Sequence, residues 1–170
     1  GDTSLVDVIK LVREMKNEPR DAVWGLMSRA IGLAMSMAEG EEKLESAFKD
    51  LRFEIAESQY KKLGWDDHEA EDLNTITLRA TVLAIMLGSE NEDMVSQALQ
   101  RFKSYKTLEE IPADRRGILL GTAVRHDGSQ EIIESLIEKY KTTSDPDLQL
   151  SISGALCFTK SEKTAKMLTE

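Results

Sequence analysis

Apolar residues recur every three or four positions along almost the whole chain, and the strict alternation of a half-buried strand is nearly absent. Leu5, Val8, Ile9, Val12 and Met15 make a first stripe, and Val23, Leu26, Ala30, Ala34 and Met37 a second. Leu44, Phe48, Leu51 and Ile55 follow, with charges between them, and then Leu73, Ile76, Ala80, Leu83 and Leu87. Further stripes run through Val95–Phe102, Ile118–Val124, Ile132–Tyr140 and Leu148–Leu156, and a last one opens at Ala165. The punctuation agrees. Asn91, Ser129 and Ser161 stand where N-caps stand, and Asp145–Pro146 pairs a cap with proline at the first helical position. Gly64, Gly88 and Gly128 stand where a left-handed residue would end a helix. The pattern predicts an all-α chain of about nine helices joined by short connectors.

The helices also repeat. Val95, Leu99 and Phe102 align with Ile133, Ile137 and Tyr140, each 38 residues further on. The run from Ser161 aligns Ala165 with Ile133 at the shorter spacing of 32. Helix pairs at such spacings predict an α-solenoid of antiparallel helix pairs, a HEAT/ARM-like superhelix with a period of ~40–47 residues. Each pair cannot bury its apolar face alone, so neighbours must stack.

Composition narrows the chemistry. Over 170 residues, 22 Lys and Arg against 31 Asp and Glu give a net charge of −9. That balance argues against nucleic acid, whose phosphates require a basic face, and against an anionic membrane surface. No apolar run approaches the ~20 residues of a membrane span. A single cysteine, Cys157, excludes an internal disulfide framework and a zinc ribbon, and fits a reducing compartment such as the cytoplasm.

Candidate chemistry is sparse. His68 opens the run His68-Glu69-Ala70-Glu71-Asp72, but a zinc-binding helix needs a second histidine four residues on, and Asp72 stands there. The run reads as a solvated acidic helix start, and His126 as a cation at a helix end. Cys157 continues an apolar stripe and reads as a buried, inert thiol. Met27, Met35 and Met37 read as core filling, with a pliable peptide-binding surface as the alternative. Trp24 and Trp65 read as core anchors. No catalytic, cofactor or metal constellation is predicted within the chain.

From Leu63-Gly64-Trp65 onward the chain resembles the C-terminal helical domain of zinc aminopeptidases of the aminopeptidase N type. That family includes the puromycin-sensitive and endoplasmic-reticulum aminopeptidases and the archaeal tricorn-interacting factors. The matching features are that triplet, the acidic stretch Asp66–Asp72, Leu78-Arg79, and Leu83-Ala84. Ala98 to Phe102 follows, then Ile111-Pro112-Ala113-Asp114 with Arg116, Gly128, Tyr140, and Ala155-Leu156 with Thr159. Upstream, Asn17-Glu18 and Val23-Trp24 match as well. Arg115 replaces a usual leucine, and Leu120 stands where tyrosine is common.

The resemblance implies that residues 1–170 are a single partial helical-repeat domain, cut at both ends from a longer one. It implies a parent enzyme that removes N-terminal residues from peptides, with zinc held in an upstream catalytic domain. This segment would be non-catalytic. It would cover the active-site cleft and meet two partners, the peptide substrate and the catalytic domain of the same chain. Arg79, Arg115, Arg116 and Arg125 are the candidates for holding a peptide carboxylate, since a guanidinium grips one through a two-pronged contact. For Arg79 a structural role competes, pairing with a carboxylate of the acidic stretch. The alternative function is a stand-alone helical-repeat scaffold with a protein bound on its concave face.

Overall fold

Helices account for most of residues 4 to 169, the part of the chain that the structure, a computed structural model, describes. The elements are α1 (Leu5–Glu14), α2 (Asp21–Met37), α3 (Glu42–Leu63), α4 (Leu73–Leu87), α5 (Glu92–Ser104), α6 (Ala113–Thr122), α7 (Gln130–Thr142), α8 (Pro146–Leu156) and α9 (Glu162–Thr169). A 3₁₀ turn, Leu108–Glu110, precedes α6, and a π-helical turn, Ala123–Asp127, continues it. Among the described residues there is no strand, and no helix is long and apolar enough to cross a membrane.

The caps follow from residue chemistry. Ser4 and Asp7 form a reciprocal capping box on α1, which satisfies amides that have no partner inside the helix. Asp72 accepts from the Thr75 amide at 2.7 Å to start α4. Asp145 accepts from Asp147 and Leu148, ahead of Pro146 in the first turn of α8. Ser161 accepts from the Thr164 amide to start α9. Ser129 precedes α7 without capping it through its side chain, because it hydrogen-bonds Asp127 instead. Gly64 ends α3 at φ +61°, a conformation that favours glycine. Gly88 departs from the expectation of a left-handed stop: its φ is −66°, and Glu90 takes the left-handed position at +56°. The glycine at 88 serves space instead, since a Cβ there would lie 2.5 Å from the guanidinium of Arg52.

The chain divides into two compact units, with the boundary between Asn91 and Glu92. In the first unit α4 is the centre, packed against α2 and α3, with α1 against α2. Its core is Trp24, Met27 and Ile31 of α2, Phe48, Leu51 and Ile55 of α3, and Leu78, Val82, Leu83 and Met86 of α4. In the second unit α6 packs against α5 and α8, and α7 against α8. Leu119, Leu120, Ile133, Leu136, Leu148 and Ile152 fill its core. Each fully buried large aliphatic contributes about 1.5–3 kcal/mol. Sequential helices pack (α1 on α2, α2 on α3, α3 on α4; α5 on α6, α7 on α8), and so do alternate ones (α2 on α4, α6 on α8), the contact scheme of stacked helix pairs. Of the pairs that the repeat aligns, Leu99 and Ile137 are both half-buried, but Ile133 is buried where Val95 is half-buried, and Tyr140 is exposed where Phe102 is half-buried.

Some predicted stripes are displaced. On α2 the buried set is Trp24, Met27, Ile31, Ala34 and Ala38, one position off the expected face, and Leu26 and Met37 are exposed. On α1 only Val12 is buried, and Leu44 and Leu73, in the first turns of α3 and α4, lie outside the core. Core filling therefore holds for Met27 and fails for Met37. Cys157 is exposed rather than buried: it follows α8 as its C-cap, past the last buried residue Leu156.

Candidate functional site

The four candidate arginines fall in different units: Arg79 in the first, and Arg115, Arg116 and Arg125 in the second. Arg79 lies two turns into α4, on the face turned toward the loop 64–72, and its side chain is 0% exposed. Nε–H donates to the Leu63 carbonyl at 3.1 Å, Nη1 to Asp67 at 2.7 Å, and Nη2 to Glu71. A buried guanidinium needs partners for its donors, and the acidic stretch after Trp65 supplies them. Burial alone would lower the Arg79 pKa, but Glu71 and Asp67 outweigh it and hold the group above its ordinary value. In return, the Arg79 hydrogen bond holds the Glu71 carboxyl below the usual carboxylate range. One oxygen of that carboxylate, Oε2, is buried and accepts no hydrogen bond. The cluster ties the end of α3, the loop and α4 together, and Trp65 in the same loop is buried.

In the second unit the 3₁₀ turn leads through Pro112 into α6, and the arginines sit at the two ends of that helix. Arg116 is buried, with Nε–H donating to the Leu108 carbonyl at 3.1 Å and Nη2 to the Ile111 carbonyl at 3.2 Å. It therefore closes the 3₁₀ turn from inside. Arg115 is also buried, with its Nε 3.4 Å from the Asp114 carboxylate. Arg125 is half-buried on the π-helical turn, next to the half-buried His126. The wide turn is closed by the Gly128 amide donating to the Ala123 carbonyl at 2.9 Å, with Gly128 left-handed. Single π turns are rare and recur at functional sites. Next to it, Lys103 pairs with Asp127 at 3.0 Å, and Lys103 and then Ser129 hold that carboxyl below its usual range.

The other motif residues occupy helix corners. The Trp24 indole N–H donates to the Glu18 carbonyl at 2.7 Å, and Gln59 reaches the same carbonyl. Asn74 donates to the Pro19 carbonyl and accepts from the Asp21 amide, and the Thr81 hydroxyl donates to Asp21. Asn74, Thr81 and Gln59 were not legible as functional in sequence, because their partners are backbone groups or residues more than forty positions away. His68 is exposed at the edge of the acidic stretch. Among the described residues no three His, Cys, Asp or Glu side chains gather as metal ligands. These side chains can pin corners and grip an anion; the described residues hold no set fit to bind a zinc ion.

Comparison with known proteins adds what geometry cannot. The family described as "ERAP1-like C-terminal domain" matches residues 1–170. The chain is 31% identical over 171 residues to aminopeptidase N of Lactococcus lactis subsp. cremoris (strain MG1363), covering 100% of this chain and 20% of that protein. It is 28% identical over 170 residues to aminopeptidase N of Lactobacillus delbrueckii subsp. lactis, covering 97% of this chain and 20% of that protein. It is 24% identical over 175 residues to the puromycin-sensitive aminopeptidase of Caenorhabditis elegans, covering 100% and 18%. The chain thus spans about a fifth of the length of these relatives.

Proposed function

This chain belongs to the ERAP1-like C-terminal domain family, and on that premise we propose that it is the non-catalytic helical part of a zinc aminopeptidase, which covers the active-site cleft and shapes peptide access. The observation that carries the reading is the family match over all 170 residues, joined to relatives named as aminopeptidases. A stand-alone scaffold is not favoured, since the relatives carry this stretch within chains about five times as long. The finer likeness to archaeal tricorn-interacting factors, a cytoplasmic location, and zinc in the parent's catalytic domain belong to the same proposal. Zinc would supply Lewis-acid chemistry there. The partners are the peptide substrate and the catalytic domain of the same chain.

Within the proposal, the four arginines are not equal candidates for a peptide carboxylate. Arg79 and Arg116 are buried, out of reach of a peptide from solvent. Arg115 is buried beside Asp114. Arg125 is half-buried on the π-helical turn, and that position supports it as the first choice. The test is Arg125→Ala in the full-length enzyme. The expected outcome is a raised KM for peptides with the rate on a single-residue chromogenic amide unchanged, the mark of lost binding remote from the chemistry. Equal losses on both substrates, or on neither, refute the peptide-anchor role of Arg125.

A further inference from the structure

Helix α2 is apolar on two sides. Its inner side carries Trp24, Met27, Ile31 and Ala34, all buried. Its outer side carries Leu26, 61% exposed, Leu33, 65% exposed, and Met37, 82% exposed. The spacings of seven and four residues put these three on one stripe, with Ala22 and Ser36 beside them. Of the described residues that α2 itself contributes to that face, only Arg29 is charged. The exposed positions of α3 differ, with Glu42, Lys43, Asp50, Glu54, Lys61 and Lys62 among them. A helix that is hydrophobic all round belongs in an interior.

Two glycines point the same way. Gly25 and Gly32 lie inside α2, where each costs about 1 kcal/mol relative to alanine. A Cβ built on either meets nothing within 4 Å, so the packing of the described residues does not require a glycine at either position. Seven residues apart, both lie on one side of the helix, about a quarter-turn or more round from the Leu26–Leu33–Met37 stripe. A bare backbone there lets a second helix approach closely, which would explain residues that otherwise only weaken the helix.

We propose that the outer face of α2 is the seat of an apolar helix from the part of the parent chain that precedes residue 1. This rests on the reading of the chain as the C-terminal portion of a longer enzyme. The relatives extend about four-fifths of their length beyond the matched stretch, and the family is a C-terminal domain, so that length lies chiefly upstream. An upstream chain enters through α1, and α1 packs on α2, so helices that precede residue 1 are tethered close to α2 at high effective concentration. The stripe from Leu26 to Met37 is about 16 Å long, three turns of a facing helix. A second copy of the chain fits less well, because each carries a net charge of −9.

The experiment uses the full-length protein at submicromolar concentration. A benzophenone side chain is placed genetically at position 33, and at Lys43 as an exposed control, and crosslinks are mapped by mass spectrometry. The expected result is intrachain crosslinks from position 33 to residues upstream of residue 1. Crosslinks to a second copy, crosslinks to residues 92–170, or a yield no higher than at the control each overturn the proposal. A companion measurement guards against a misfolded probe. In the full-length protein Leu33→Cys should react with a maleimide about ten-fold more slowly than Lys43→Cys, as expected for a covered site; equal rates overturn the proposal. Neither readout depends on peptidase activity, so a failure of the peptide-access reading is distinguishable from a failure of this one.

Discussion

Arg79 offers the sharpest test of how this fold is held. Consider Arg79→Met, which keeps an apolar stem and removes the guanidinium. The side chain is 0% exposed, so water does not replace its three contacts without opening the loop. Asp67 is 44% exposed and can turn to solvent, so its loss is small. Glu71 is only 13% exposed, and its Oε2 already lacks a hydrogen bond, so its charge is left without a cation in a poorly hydrated place. The Leu63 carbonyl loses its Arg79 donor as well. Removing one partner of a buried ion pair typically costs ~3–5 kcal/mol, and with Asp67 free to rehydrate the expected loss is near the lower end, ~3 kcal/mol. Urea denaturation followed by circular dichroism measures it. Arg79→Lys should fall between wild type and Met, because one ammonium keeps the charge but cannot reach three acceptors set in a fork. Combining Arg79→Met with Glu71→Gln should cost less than the two singles added, since the stranded charge is gone. A loss below ~1 kcal/mol for Arg79→Met, or strict additivity in the double variant, refutes the account of the cluster.

Other outcomes follow from the same structure. Trp65→Ala should cost about 3–5 kcal/mol in the same denaturation assay, because its ring is buried. Acid should loosen that loop with a defined sign. Glu71 has a folded pKa below its unfolded value, so its stabilisation is present above the ordinary carboxylate pKa of about 4.3 and is lost as pH falls through the lowered folded value. The urea midpoint of wild type should therefore fall more steeply on acidification than that of Glu71→Gln, and parallel curves count against the assignment. Gly88→Ala should cost about 1 kcal/mol, because its Cβ displaces the Arg52 guanidinium from the Gly88 carbonyl. A crystal structure of that variant with Arg52 unmoved would contradict the reason.

The residues that were legible in sequence are those whose physics is local. Caps and helix periods act over three or four positions, so Asp145 and Ser161 are legible as N-caps and each accepts the amides of its helix start, whereas Ser129 stands in the same position and turns to Asp127 instead. The acidic partners of Arg79 were legible too, since a buried guanidinium eight and twelve residues after carboxylates has few other choices. Periodicity failed on α2 because two sets of positions satisfy it. Val23, Leu26, Ala30, Ala34 and Met37 repeat as well as Trp24, Met27, Ile31, Ala34 and Ala38. A period selects a helix but not which of two apolar sides turns inward. The indole, the largest side chain, settles it, because its N–H finds the Glu18 carbonyl only from the inner side.

The candidate site was less legible, for a related reason. Arg116 binds carbonyls of Leu108 and Ile111, and a carbonyl leaves no mark in a sequence. The π-helical turn at Ala123–Asp127 likewise has no residue type that announces it; it closes with one residue more than an α-helical turn, the Gly128 amide donating to the Ala123 carbonyl five residues back. That extra residue alters the register of Arg125 relative to the buried face of α6, which holds Leu119, Leu120 and Ala123. An unbroken α-helix would advance the position of residue 125 by a regular 100° per residue, whereas the wider turn delays it. If the turn matters for presenting Arg125, deleting one residue from it should change peptide KM as much as Arg125→Ala does, while leaving the small-substrate rate alone. A deletion that lowers both rates together, or that leaves the peptide KM unchanged while Arg125→Ala raises it, would make the wide turn a packing accommodation and separate it from whatever Arg125 does.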